Sequence, residues 1–571
     1  MSPLRESLGL HNNPNNPDLP KSLEFLVSTA VTTTFNTQNM PILKKTGIRS
    51  TFFPDGTTQP VDGAEHEQHE DASTNGEKND DNNIVLIAFE ENDPENPLNW
   101  SKPRKWLTTT LLNSMTLIIG LSTSAYSPTT SFIAQDLGVS SEAANVGMFT
   151  FNAACSIGPL FLAPFCEMVG RRYVYLFGFF AFTAVFPMLG AGTNIGTMIV
   201  GRLLSGLFGC IGTILVGGTL ADIWKDDERS VPMSQFTFVA IFSTIAAPTY
   251  CGYIIEGVGY RWVEWVHMIA SGTLFIIELF LFKETRGATI LAQRAKKMRQ
   301  ETGDNRFRAP IELESESVKM LLHKSCTRAI MLLFREPVIL FFGLWIALAW
   351  GLVFLFLTVI PLTFEGNHGW STGNGGLPYI GLMIGCVLGY ISGYWSDHKF
   401  NQATKRNNGR TVPEARLYGA MFFAPFFPIG LYIFAFTQYS FVHWIAPIIA
   451  LVPMIFGIYH IFLATYNYTS DSYGEYSSSG IAAQGLLRNM LGAVTPLFGS
   501  QMFHGMGYQF AGLFIALLAT VLAPIPYVLF FKGKTIRARS KFASATTGMA
   551  DEQRDTASNA ELGHTAQEAK A

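Results

Sequence analysis

From Val338 to Phe364 the chain carries no charged side chain. As a helix rising 1.5 Å per residue, such a run is about 40 Å long. The hydrocarbon core of a bilayer is about 30 Å thick. A helix that is apolar on every side must be surrounded by protein or by lipid. Eleven more predominantly apolar runs, some with a few charges, cover 106–126, 143–165, 173–191, 196–222, 233–256, 263–283, 375–396, 415–437, 443–468, 477–503 and 508–531. In chain order these runs and 338–364 are helices 1 to 12, with 338–364 as helix 7. The fold class expected is an all-α membrane protein with twelve transmembrane helices.

Composition agrees, because only 15% of the 571 residues are charged and mean hydropathy is +0.23, whereas soluble domains carry about 25% charge. The polar residues gather in blocks. The expected plan is a tail over 1–100, a six-helix half over 101–283, a linker over 284–337, a second half over 338–531 and a tail over 532–571. Residues 62–95 hold twelve acids against one base, Lys78. Such a run repels itself and is expected to stay disordered. From Lys283 the linker reads KETRGATILAQRAKKMRQETGD, a basic helical connector along the membrane face. No charged-then-apolar leader opens the chain, so no signal peptide is expected.

Lys and Arg remain on the cytosolic side of short loops. One set of loops holds Lys102, Arg104 and Lys105; Arg171 and Arg172; Lys225 and Arg229; the linker; Lys399, Lys405, Arg406 and Arg410; and the run from Lys532 to Lys541. The alternate loops hold Arg261 alone. Both termini and the linker are therefore expected to be cytosolic. The plasma membrane is the expected location, with a vacuolar or vesicular membrane as the rival.

Between helices 2 and 3 the sequence reads GPLFLAPFCEMVGRRY, residues 158–173. Arg171 and Arg172 serve as orienting charges there. That role does not account for Glu167 or Gly170. After helix 8, at 388–400, LGYISGYWSDHKF echoes the break, with Asp397 in place of Glu167. The offset of 230 residues is about six helices. Two six-helix halves related by an axis along the membrane normal place a substrate site near the midplane, and the halves rock about it.

Within helix 4 lies Arg202. An arginine at bilayer centre costs about 2.5–3.5 kcal/mol on insertion scales, so it must face protein or water. Asp222 closes the same helix. Helix 5 carries Pro248 and Gly252, a kink and a point of close approach. Polar or aromatic side chains that could line a cavity are Asn113, Asn152, Trp350, Tyr459, His460, Gln484, Arg488 and Asn489. The last two, with Gln484 one turn earlier, form a polar patch in helix 11. Acids within the helices are scarce, and none stands out as a proton carrier. The six cysteines have no metal-ligand spacing and read as small hydrophobes. There is no P-loop and no H-E-x-x-H. No cofactor, metal or enzyme activity is expected.

The motif at 158–173 resembles the loop between helices 2 and 3 of the major facilitator superfamily, with Glu167 standing for its aspartate. GRLLSGLFGC (201–210) is similar to the family's helix 4 arginine motif. AAPTYCG (246–252) resembles the helix 5 antiporter motif, with Ala247 where a glycine is usual and one further glycine missing. NPLNWSKPRKW (96–106), KETRGATIL (283–291), YTSDSYGEYSSSGIAAQGLLRN (468–489) and KTIRARSKFA (534–543) resemble the fungal twelve-helix drug:proton antiporters, which include multidrug, polyamine and secondary-metabolite exporters. The resemblance covers about residues 96–543.

It implies alternating access and a conformational gate made of Glu167, Gly170, Arg171, Arg172, Asp222 and Asp397. It also implies proton coupling through Arg202. The function expected is proton-coupled efflux of small lipophilic organic compounds. The expected partners are that substrate, protons and membrane lipids. A monomer suffices, since twelve helices enclose their own site, and nothing points to nucleic acid. Polyamine export is the alternative, but a polycation needs several cavity carboxylates. Sugar uptake is disfavoured because KETRG stands where that group carries PESPR-like sequence. A non-transporting sensor is the reading from a different class, and its usual very long tails are missing here.

Overall fold

The computed structural model describes residues 84–213, 215–225, 228–313, 318–407, 412–540 and 542–543. Among them are twelve long helices: Lys102–Ala125, Ser141–Val169, Arg171–Gly190, Ile195–Ile223, Ser230–Val258 and Arg261–Leu281, then Pro337–His368, Tyr379–Arg406, Pro413–Thr437, Ile445–Tyr473, Ser477–Met506 and Tyr508–Ala538. They are helices 1 to 12. Ten meet a length and hydropathy standard for crossing a membrane. The other two are helices 1 and 11, and their polarity is turned inward. Thr109, Asn113 and Thr116 of helix 1 are buried, as are Gln484, Arg488 and Asn489 of helix 11. Polar groups at membrane depth must find protein or water, so these helices sit inside the bundle.

Several helices outrun their apolar stretches. Helix 8 continues to Arg406, ten residues past its apolar run, and helix 10 continues to Tyr473, five past. Hydropathy marks only the part inside the hydrocarbon. A helix satisfies its own backbone and can continue into water, and Lys405 and Arg406 in the last turn suit the negative end of the helix dipole. Helix 12 is interrupted at Ala523–Pro524, where proline cannot supply an N–H.

Helices of the two halves meet along two seams. On one, helix 5 packs against helices 8 and 10; on the other, helix 2 packs against helix 11. The face that carries the basic loops is here called the basic face. A second linker helix, Val318–Arg335, lies between helices 2 and 11 there, with Leu332 and Leu333 buried.

The segment from residue 84 is held on the basic face. Strand β1 (Val85–Leu86) pairs in parallel with β2 (Phe307–Arg308). Ile87, Leu291, Ala295 and Ala309 close a small core, with Phe89 and Ile311 against it. Arg294, on the linker helix Gly287–Thr302, reaches Asp93 at 2.7 Å and Glu95 at 2.6 Å. This end of the acidic run is therefore paired, because the linker supplies the base that the run itself lacks. The acids from Asp62 to Asp81 lie outside the described residues, as do Arg410, Lys541 and the chain beyond Ala543.

The Arg294 guanidinium holds the Asp93 carboxyl below its ordinary range. A depressed carboxylate pKa stabilises the docked segment at pH above the ordinary value, and that contribution disappears as pH falls through the lowered one. Asp93→Asn is expected to speed amide hydrogen exchange over residues 85–95 several-fold at neutral pH. Unchanged exchange would mean that the apolar core alone holds the segment.

Candidate functional site

At the basic face Gly170 separates helices 2 and 3 with φ +100°, a conformation that favours glycine. A Cβ there would also strike Glu284. The Glu284 carboxylate accepts the backbone N–H of Arg171 at 2.9 Å and of Arg172 at 3.1 Å. It thus caps the positive end of helix 3, where free N–H groups favour an anion. The Arg171 side chain turns to helix 4 and meets Asp222 at 2.9 Å. Glu167, one turn before Gly170, is exposed and makes no ion pair among the described residues. The acids that serve this arginine pair are Asp222 and Glu284. Spacing along the chain favours Glu167, while folding brings Glu284 over from 113 residues away. The family-like KETRG segment, which contains Glu284, is the sequence signal for it.

The second half repeats this arrangement. Arg416 at the start of helix 9 binds Asp471 at the end of helix 10, at 2.7 Å, and lies 3.6 Å from Asp397 of helix 8. Its guanidinium carbon is 3.4 Å from the centre of the Phe400 ring. Helix 9 corresponds to helix 3 and helix 10 to helix 4, so Arg416–Asp471 mirrors Arg171–Asp222. Asp397 joins its cluster, whereas its counterpart Glu167 does not. Beside it, Arg537 binds Glu414 at 2.6 Å and the Tyr468 hydroxyl at 2.7 Å. Removing one partner of such a buried pair costs about 3–5 kcal/mol, because the other charge is left uncompensated.

Arg202 is fully buried. Its Nη1 and Nη2 donate to the carbonyls of Ser122 (3.2 Å) and Thr123 (3.1 Å). Helix 1 ends at Ala125, and the last four carbonyls of a helix lack internal partners. A cation there satisfies them and meets the negative end of the dipole. The rings of Tyr126 and Phe151 flank the guanidinium, with centroids 4.6 and 4.4 Å away. Glu264, near the start of helix 6, is also buried and lies within electrostatic reach of Arg202. One turn on, His267 bonds the Tyr250 hydroxyl at 2.9 Å and the Val263 carbonyl at 2.7 Å. The sequence places Glu264 merely at the beginning of a helix. Only the packing of helix 6 beside helix 1 shows that it is enclosed.

The expected cavity residues separate into two groups. Asn489 donates to the Cys155 carbonyl of helix 2 at 3.2 Å, and Ser156 donates to Leu486 of helix 11 at 2.9 Å. Arg488 and Trp350 adjoin this seam, with the Arg488 guanidinium carbon 5.3 Å from the Trp350 ring centre. Gln484 binds Thr469 at 2.9 Å. Asn113 is buried with neither side-chain polar atom bonded among the described residues, while Asn152 turns back to the Met148 carbonyl. Tyr459 and His460 belong elsewhere. Tyr459 binds Ser234 of helix 5 at 2.9 Å, and His460 binds Ser392 of helix 8 at 2.7 Å and stacks on Phe423. Tyr459 thus meets the other half along the seam of helices 5 and 10, and His460 stays within its own half.

On the face opposite the basic loops, helix 5 meets the turn before helix 8. A Cβ on Gly252 would run into the carbonyl of Thr372, and one on Gly376 into that of Pro248. Glu256 accepts the Gly373 N–H at 2.8 Å. The two backbones touch directly there.

Twelve helices in two halves, buried cations at depth and paired charge clusters on one face define a membrane transporter frame rather than an enzyme pocket. The Major Facilitator Superfamily model matches residues 112–496. The chain belongs to that superfamily. It is similar to the major facilitator superfamily multidrug transporter mdrA of Aspergillus fumigatus, 32% identical over 460 residues, covering 80% of this chain and 76% of the relative. It is similar also to the MFS-type efflux pump MFS2 of Trichophyton rubrum, 32% identical over 459 residues, 80% and 77% covered. Efflux pump FUBT of Fusarium oxysporum is 30% identical over 470 residues, 82% and 79% covered. The chain is a multi-pass membrane transporter.

Proposed function

We propose that the chain exports small lipophilic organic compounds from the cytosol in exchange for protons. In this reading the basic face is cytosolic, both termini lie on it, and the protein resides in the plasma membrane. The observation that carries it is the buried Arg202, with Glu264 in electrostatic reach and no carboxylate hydrogen-bonded to it among the described residues. A carboxylate enclosed beside a fixed cation can take up and release a proton, and each change alters the charge of the enclosed pair. Arg171–Asp222, joining helices 3 and 4, and Arg416–Asp471, joining helices 9 and 10, brace the cytosolic end of each half as parts of the conformational gate. The names multidrug transporter and efflux pump borne by the relatives support the outward direction.

The energy suffices. One proton entering down about 100 mV releases about 2.3 kcal/mol, and one pH unit adds about 1.4 kcal/mol. Their sum, about 3.7 kcal/mol, sustains a neutral-substrate gradient of roughly several hundredfold.

The test is efflux from pump-deficient yeast expressing the full chain, with lipophilic toxins, dyes and spermidine, each with and without a protonophore. Protonophore-sensitive loss of a lipophilic compound is expected. Loss of spermidine alone would move the reading to polyamine export. No efflux, with the protein shown at the cell surface, would favour a narrow substrate absent from the panel, or a sensor.

A further inference from the structure

Four arginines are buried among the described residues, and three of them are answered by acids. Arg171 has Asp222, Arg537 has Glu414, and Arg202 has Glu264 within reach. The fourth is Arg488, and no carboxylate pairs with it among the described residues. It lies near the middle of helix 11, beside the seam with helix 2 that Asn489 bridges.

The Arg488 guanidinium is held in place without being neutralised. Its Nε donates to Asn489 Oδ1 at 3.1 Å, and its Nη1 donates to the Tyr466 hydroxyl. Nη2 makes no hydrogen bond among the described residues, and a guanidinium carries five N–H groups in all. The rings of Trp350 and Phe462 have centroids 5.3 and 5.8 Å from its central carbon. Ring faces attract a cation and fix its position, but they leave its charge in place. Nearby in helices 10 and 11, Thr465 Oγ1 and Gln484 Oε1 are buried with no hydrogen-bond partner among the described residues. A buried, uncompensated charge is costly. Here it sits at the seam that separates when the halves rock.

We propose that Arg488 anchors the anionic group of the transported compound, so that the substrate is an amphiphilic organic acid. The carboxylate or sulfonate takes the open edge of the guanidinium fork, a geometry that suits two parallel N–H···O bonds. The aromatic or apolar body lies against Trp350, Phe462 and Tyr466. This rests on the export reading above and narrows its substrate. Outward movement of an anion also runs with an inside-negative membrane potential, so the charge assists export. A polycation would meet repulsion at the same place.

The test uses the full chain, purified and reconstituted in proteoliposomes, with three radiolabelled compounds of one shape: naphthalene-2-carboxylate, 2-naphthamide and 2-naphthylmethylammonium. Cycloheximide serves as a neutral compound of another shape. Binding to the detergent-solubilised protein and proton-driven transport are both read. The carboxylate is expected to bind at least tenfold more tightly than the amide and to be transported fastest, with the ammonium compound excluded. Arg488→Gln is expected to erase that preference, and Arg488→Lys to restore part of it. The comparison on the native protein carries the test even where the glutamine variant does not insert. Equal handling of carboxylate and amide, preference for the ammonium compound, or an undiminished carboxylate preference in Arg488→Gln would each overturn the inference while leaving export standing. Transport of cycloheximide with none of the three would do the same. No proton-driven transport of any compound would remove the export reading, and this inference with it.

Discussion

Glu264→Gln is expected to cut proton-driven transport at least tenfold while leaving substrate counterflow near native. Glutamine has the shape of the carboxylic acid and cannot release a proton, so the enclosed site is fixed in its protonated form. Exchange of labelled for unlabelled substrate needs only the rocking of the halves. Net movement against a gradient needs the proton cycle. Arg202→Ala should lose both, because it removes more than charge. The carbonyls of Ser122 and Thr123 at the end of helix 1 lose their donors, and a buried acceptor left unpaired costs about 1–3 kcal/mol. The two flanking rings lose the cation between them as well. Arg202→Lys keeps the charge but presents a point donor where a fork spans two carbonyls, and it should recover only part of the activity. Proteoliposomes under an imposed pH gradient, assayed for net uptake and for counterflow, separate these outcomes. Full gradient-driven uptake by Glu264→Gln would sink its assignment as the proton-carrying group.

The helices are legible in the sequence because apolar runs at membrane length have few alternatives. The break at Glu167–Arg172 is legible because charge inside an oily stretch needs a reason. The pairings are much less so. Sequence spacing joins residues that are close along the chain, and Glu167 lies four residues from Arg171. The partners that folding supplies are Asp222 and Glu284, 51 and 113 residues away. The repeat is visible at Asp397, yet its best-matched part is Arg416–Asp471, which the charge pattern alone does not mark.

Tyr459 and His460 look like cavity residues in the sequence, and what they touch is not legible there. Helix 10 is apolar on nearly every side, so period gives no inward face, and only the positions of helices 5, 8 and 9 show which groups those rings meet. Arg488 is legible as a cost. That no acid among the described residues answers it is visible only once every buried arginine has its neighbours.

Gly252→Val is expected to lose at least tenfold in transport and to hold open the face opposite the basic loops. Helix 5 and the turn from Thr372 to Gly376 approach so closely that a Cβ on Gly252 would overlap the carbonyl of Thr372 and press on Gly373 Cα at 2.9 Å. Both obstacles are backbone, so no side-chain rotation relieves the clash and one element must move away. The contact is reciprocal, since Gly376 has no more room against Pro248. Two hydrogen bonds at the same place, Gly373 N–H to Glu256 and the Tyr253 hydroxyl to Asn374, depend on that approach. Separating the backbones breaks them together. Gly257 provides the control on the same helix, because a Cβ there meets nothing within 4 Å. Gly257→Val should be nearly neutral, and valine is no worse than glycine within a helix. A cysteine placed at Thr372 and probed with a membrane-impermeant maleimide reads the position of the seam. Labelling should rise sharply in the Gly252→Val background and stay at the native level with Gly257→Val. Native transport with unchanged labelling in Gly252→Val would show that this contact does not close the opposite face.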